Sequence, residues 1–116
     1  MIYQKDWLMR QIENLTAAVT HLILQKTTAG ETASAVEQEL RNKIADSVKN
    51  GQICDLENWL YENLDGENEL WLRAAIYFYS EINKCTDSFL VEHDFSREEI
   101  LSGLRDVLSQ YGYTFF

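Results

Sequence analysis

Residues 70–82 read LWLRAAIYFYSEI, a stretch holding one Trp, two Tyr and one Phe, with Arg73 as its only cation. Its reading decides the fold. On a helix, Trp71, Ala74, Ala75, Phe78, Ile82 and Cys85 share one face at i+3/i+4 spacing. Leu70, Tyr77 and Glu81 lie on the adjacent face, and Leu72, Ile76 and Tyr79 on the side opposite Trp71. A helix that is apolar almost all round is a surrounded one. Ala74 and Ala75 would let neighbours approach closely, and the Tyr hydroxyls would reach polar groups at the rim. The stretch therefore predicts the middle of an all-helical protein. A second reading makes Trp59, Trp71, Tyr77 and Phe78 the walls of an aromatic pocket between helices, which would suit a small-ligand binder or an enzyme.

Working outward, residues 67–85 form the fourth helix of a series. Before it, Ile53, Leu56, Trp59, Leu60 and Leu64 predict a short helix over 53–64, closed by the DGEN turn. Upstream of that, Val36, Leu40, Ile44 and Val48 recur at i+4 steps. Ser34 and Glu37 form a capping box at the start of this helix, and Asn50-Gly51 ends it. Its outer face is expected to carry the acid-first pairs Glu37–Arg41 and Glu39–Lys43. After the aromatic helix, TDSFLVEHDF is a short helix or an irregular turn. FSREEI is the sharpest local signal: Ser96 caps, Glu99 completes the box, and Phe95 staples against Ile100. The last helix buries Ile100, Leu104, Val107, Leu108 and Tyr111, and Gly112 stops it.

The first segment, Tyr3 to about Gln25, places Leu8, Ile12, Leu15, Val19 and Leu22 in a 4-3-4-3 seam, with Asp6 and Arg10 an i,i+4 pair on its flank. This seam has two readings. It lies in the core of the domain, or it pairs with the same helix of a second copy, with Trp7 widening the contact. TTAGETAS, residues 27–34, is the one stretch with linker character and would let residues 1–26 act as a dimerisation arm on a helical bundle over 35–116. The closing YGYTFF sets Phe115 and Phe116 among four aromatics that need a surface to pack on. The expected architecture is thus one all-α domain, a bundle of five or six antiparallel helices built from helical hairpins. Tetratricopeptide-like stacking is compatible with its helix-turn-helix rhythm, although the diagnostic Trp-Leu-Gly-Tyr spacing and closing proline are missing.

The chain has 116 residues, no proline and a net charge of −9. Residues 1–50 carry six acids and six bases, whereas residues 51–116 carry thirteen acids against Arg73, Lys84, Arg97 and Arg105. Such a surface repels phosphate backbones and anionic lipid, which argues against nucleic-acid and membrane partners. No apolar run approaches the ~20 residues that span a bilayer, and MIYQKDWLMRQ has no signal-peptide character. A cytoplasmic protein with Cys54 and Cys85 as free thiols is expected.

No catalytic residue, cofactor site or metal site is assigned. His21 and His93 stand at no motif spacing from a Ser or Cys nucleophile. Glu92, His93 and Asp94 with either cysteine match no zinc pattern. ENLDGENELW has a glycine but not the calcium-loop spacing, and the five scattered glycines make no phosphate loop.

The opening YQKDWLMRQIENL (3–15) and the closing HDFSREEILSGLRDVLSQYG (93–112) resemble an uncharacterised family of small all-helical proteins from Gram-positive bacteria, a domain of unknown function. The resemblance implies an intracellular bacterial protein and brings no activity with it. The leading expectation is a non-enzymatic interaction or assembly module, a homodimer or the binder of a protein partner whose contacting surface is basic.

Overall fold

The computed structural model describes residues 2–26, 35–66 and 68–113, with side chains along the first helix from 6 to 21. Six helices run through them: α1 (Ile2–Lys26), α2 (Ala35–Lys49), α3 (Ile53–Asn63), α4 (Glu69–Asn83), α5 (Asp87–Glu92) and α6 (Arg97–Gln110). The described residues contain no strand. The expected linker, the Ser34 cap, the side chain of Leu22, and Phe115 and Phe116 lie outside the described residues.

The aromatic helix is the hub. α4 packs against α1, α2, α3 and α6. It buries Leu72, Ala74, Ala75, Ile76, Phe78, Tyr79, Ile82 and Asn83, which span about 200° around its axis, while Leu70, Arg73, Tyr77 and Glu81 on the remaining side are half-buried. Each fully enclosed aliphatic or aromatic side chain contributes about 1.5–3 kcal/mol of transfer free energy. α4 is shorter than its apolar pattern predicts at both ends. Asn68 caps it by accepting from the Leu70 amide at 3.0 Å, and it stops at Asn83.

Partner residues give the directions of the helices around it. Asn83 meets Arg97, Tyr79 meets Gly103, and Asn68 meets Tyr111, so α6 runs back along α4. Glu37 meets Arg73 and Arg41 meets Tyr77, so α2 runs in the same direction as α4. α1 is ~37 Å long at 1.5 Å per residue, against a longest molecular axis of 43 Å. It lies along α4 and α6. Leu8, Ile12, Leu15 and Val19 are all buried there. Thr16 sits on the same side, its hydroxyl donating to the Glu13 carbonyl at 2.9 Å, so the inward face carries no unsatisfied hydroxyl.

α2 differs from its predicted face. Val36, expected inward, is 62% exposed, and Glu37, expected outward, is 7% exposed. The reason is helical drift. Steps of four residues overshoot a 3.6-residue turn by about 40° each. A face centred on Ile44 therefore leaves Val36 at its edge and passes close to Glu37. The acid is tolerated inside because Arg73 Nε donates to both its oxygens, at 3.2 and 3.3 Å, and Arg41 Nη2 donates at 3.3 Å.

The turns follow their chemistry. Gly51 ends α2 at φ +78°, the left-handed region that suits glycine. Its α-carbon also faces the His93 ring so closely that a Cβ would stand 2.7 Å from Nε2. The segment left open between short helix and turn is a helix, α5, with Thr86 accepting from the Phe89 amide at 3.1 Å. Asp94 turns the chain at φ +58°, and Ser96 caps α6 by accepting from the Glu99 amide at 3.2 Å.

Candidate functional site

Four places gather chemistry-bearing side chains. The first is the end of α4. Arg97, the first residue of α6, is 6% exposed. Its Nη1 donates to the Asn83 carbonyl at 2.7 Å and to Asn83 Oδ1 at 3.1 Å. Its Nη2 donates to the Cys85 carbonyl at 2.6 Å, and its Nε to Asp87 Oδ1 at 3.2 Å. The guanidinium thus occupies the negative end of the α4 dipole and satisfies carbonyls that the helix leaves open. Asn83 passes the tie onward, its Nδ2 donating to the Met9 carbonyl of α1 at 3.2 Å. The donors of this cluster point at protein acceptors, so its work is to join α1, α4, α5 and α6. Sequence reasoning missed it. An arginine next to a Ser cap looks like a solvated first-turn residue, and nothing local shows that another helix ends above it.

The second place is the α3–α4–α6 junction. Tyr79 is buried on α4, and its hydroxyl donates to Glu57 Oε2 of α3 at 2.6 Å. Tyr61, one turn further along α3, donates to the Gly103 carbonyl of α6 at 3.3 Å. Loss of solvent pushes the Glu57 carboxyl above its ordinary range, the Tyr79 hydroxyl opposes that shift, and Glu99 adds to it. Burial lifts Tyr61 to about 12 and Tyr79 further still. Neither phenol ionises near neutral pH, so neither serves as a base there.

Beside this junction lies Cys54, whose thiol faces the His93 carbonyl at 3.7 Å. Burial and the neighbouring Glu57, Asp94, Glu99 and Asp55 raise it above the ordinary thiol range. Thiolate is the nucleophile, so this setting works against reactivity. The His93 ring packs on Phe89, centroids 4.5 Å apart. Among the described residues no group of three or more His, Cys, Asp and Glu could hold a metal ion.

The third place holds the aromatics singled out as pocket walls. Trp59 and Trp71 meet edge to face, centroids 5.3 Å apart, with Lys43 Nζ 4.0 Å from the Trp59 ring centre. Tyr77 lies under the Arg41 guanidinium at 5.3 Å. Phe78 is fully enclosed and tilts against Tyr79 instead. The two tryptophans are brought together, and Phe78 belongs to a separate ring pair.

The fourth place is the outer side of α1. Its seam residues Leu8, Ile12, Leu15 and Val19 face the chain's own core. Trp7 does not: it is 55% exposed. At 3.6 residues per turn, Arg10, Asn14, Ala18 and His21 fall within about 60° of the line through Trp7, and all four are exposed. An indole, an amide and a small side chain thus share one strip. No helix among the described residues is long and apolar enough to cross a membrane.

Searches among curated proteins and among solved structures returned no match. A family model described as a family of unknown function, DUF6483, matches residues 2–112. That span takes in all six helices and the whole buried core, and the chain therefore belongs to this family.

Proposed function

We propose that the protein is a non-enzymatic assembly module that pairs with a second copy of itself through the outer strip of α1. The observation that carries this reading is Trp7, a large side chain left 55% exposed on a helix whose Leu8, Ile12, Leu15 and Val19 are buried. Charge selects the partner. Two copies repel wherever residues 51–116 approach each other, since thirteen acids there face four bases. Residues 1–50 are balanced, so like meets like at lowest cost through the first helix. A two-fold pairing is self-complementary. With the two helices running in opposite directions, Trp7 of one copy covers Ala18 of the other, eleven positions away and nearly in line on the helix. The small alanine leaves room for the indole.

Sedimentation equilibrium tests the reading. The full chain should be a dimer whose dissociation constant rises about tenfold or more in Trp7→Glu, with an unchanged helical circular dichroism spectrum. A wild-type monomer at all accessible concentrations, or a Trp7→Glu dimer as tight as wild type, contradicts it.

A further inference from the structure

Two arginines meet where α2 packs on α4. Arg41 of α2 and Arg73 of α4 touch the same oxygen, Glu37 Oε2, at 3.3 and 3.2 Å. Arg73 Nε also donates to Glu37 Oε1 at 3.3 Å. Among the described residues neither arginine has a second acidic partner. Two cations thus share one buried carboxylate, and the pair keeps a positive charge in surplus within a chain whose net charge is −9.

The donors left over have a definite shape. Arg73 spends its Nε edge on Glu37, and Arg41 spends Nη2. No acceptor among the described residues meets Nη1 and Nη2 of Arg73, or Nε and Nη1 of Arg41. The two Nη groups at the tip of a guanidinium form a planar fork that matches both oxygens of a carboxylate. Water reaches both side chains, which are 40% exposed for Arg41 and 30% for Arg73. Tyr77, one turn after Arg73, holds its ring 5.3 Å below the Arg41 guanidinium. Glu37 and the Tyr77 ring therefore fix the two arginines in advance, which lowers the side-chain entropy lost on binding.

We propose that the Arg41–Arg73 pair is a carboxylate-binding site: the Arg73 fork takes both oxygens of one carboxylate, and Arg41 adds a further donor. Charge selects this group over phosphate. One negative charge offsets the surplus, whereas a dianion brings excess charge into an acidic molecule. The acids nearby along α4 sharpen that preference. Glu69 stands one turn before Arg73, and Glu81 stands one turn after Tyr77, where it pairs with Lys84 at 2.9 Å. A free organic acid and a glutamate side chain of a peptide present the same group to the fork. The site uses no residue of the α1 strip, so it stands whether or not two copies pair.

The experiment is an NMR titration of the full chain, following the carbon-detected guanidinium Cζ signals of Arg41 and Arg73 at constant ionic strength. The probes are sodium acetate, the capped peptide acetyl-Gly-Glu-Gly-amide, and inorganic phosphate at about pH 8, where it carries two charges. Both signals should move saturably with acetate and with the peptide, with millimolar dissociation constants, and phosphate should bind several-fold more weakly. Tighter binding of the peptide assigns the site to protein side chains; tighter binding of acetate assigns it to free acids. Arg73→Lys keeps the charge and removes the fork, so it should weaken carboxylate binding about tenfold with the helical circular dichroism spectrum unchanged. Arg41→Lys gives the same comparison should Arg73→Lys fail to fold. The absence of a saturable response, undiminished binding in the lysine variants, or phosphate bound as tightly as carboxylate overturns the proposal.

Discussion

Gly103 lies inside α6, where alanine would ordinarily gain about 1 kcal/mol over glycine. Here the sign should reverse. A Cβ at this position would collide with the Tyr79 hydroxyl and stand 2.8 Å from its ring carbon Cζ. Tyr79 is enclosed and hydrogen-bonded to Glu57, so it has no easy way to yield. Gly103→Ala should lower the unfolding free energy by about 1–3 kcal/mol in urea titration; a gain would mean that the ring is not held there. Arg97→Met keeps much of the volume but removes the donors that serve Asn83, Cys85 and Asp87. A loss of about 3 kcal/mol is expected, because carbonyls at a helix end would lose their charged partner. Neither residue was legible beforehand. Sequence spacing reports which side of its own helix a residue occupies, whereas Gly103 and Arg97 owe their roles to what another helix places opposite them. The Ser96 cap of α6 was legible because its partner, the Glu99 amide, lies three residues away.

At the scale of the element, the pattern that announces a helix was also sufficient to assign most of its buried side, although Trp59, Leu64 and Tyr111, expected inward, are only partly buried. α6 buries Ile100, Leu104, Val107 and Leu108, α4 buries Ala74, Ala75, Phe78 and Ile82, and α1 buries Leu8, Ile12, Leu15 and Val19, as their spacing indicates. α5, six residues long, is too short for periodicity to separate it from a turn. The clearest departure is the start of α2, where drift along i+4 steps, with Arg41 on the same helix and Arg73 on α4, exchanges the places of Val36 and Glu37. This has a direct consequence. Val36→Thr should change stability by no more than about 0.5 kcal/mol, as surface substitutions do, whereas Leu40→Ala on the same helix should cost about 2–5 kcal/mol. Paired thermal melts would check both, and a costly Val36→Thr would place the α2 face where its i+4 spacing predicted it. The seam of α1 left a real ambiguity, since apolar residues every three or four positions are equally suited to the core of one chain and to the contact between two. What separates the cases is burial: Leu8, Ile12, Leu15 and Val19 are enclosed by the chain's own helices, and Trp7, one position before the seam, is left exposed.

For the whole molecule, α4 packed against α1, α2, α3 and α6 makes the core, and the charge imbalance of residues 51–116 discourages association through that part of the chain. The all-helical architecture was readable from the absence of proline, the helical periods and the surrounded aromatic helix. The candidate sites were not, because the junction at Glu57 and the tie at Arg97 join residues 22 and 14 positions apart. The central functional claim is that a second copy meets the chain along the outer strip of α1. Its most direct test is an isotope-filtered NOE measurement on a mixture of labelled and unlabelled full-length protein, which detects contacts between copies alone. Cross-peaks between the Trp7 indole of one copy and the Ala18 methyl of the other are predicted. A dimer whose intermolecular cross-peaks all arise elsewhere, or a mixture that gives none, would contradict the account.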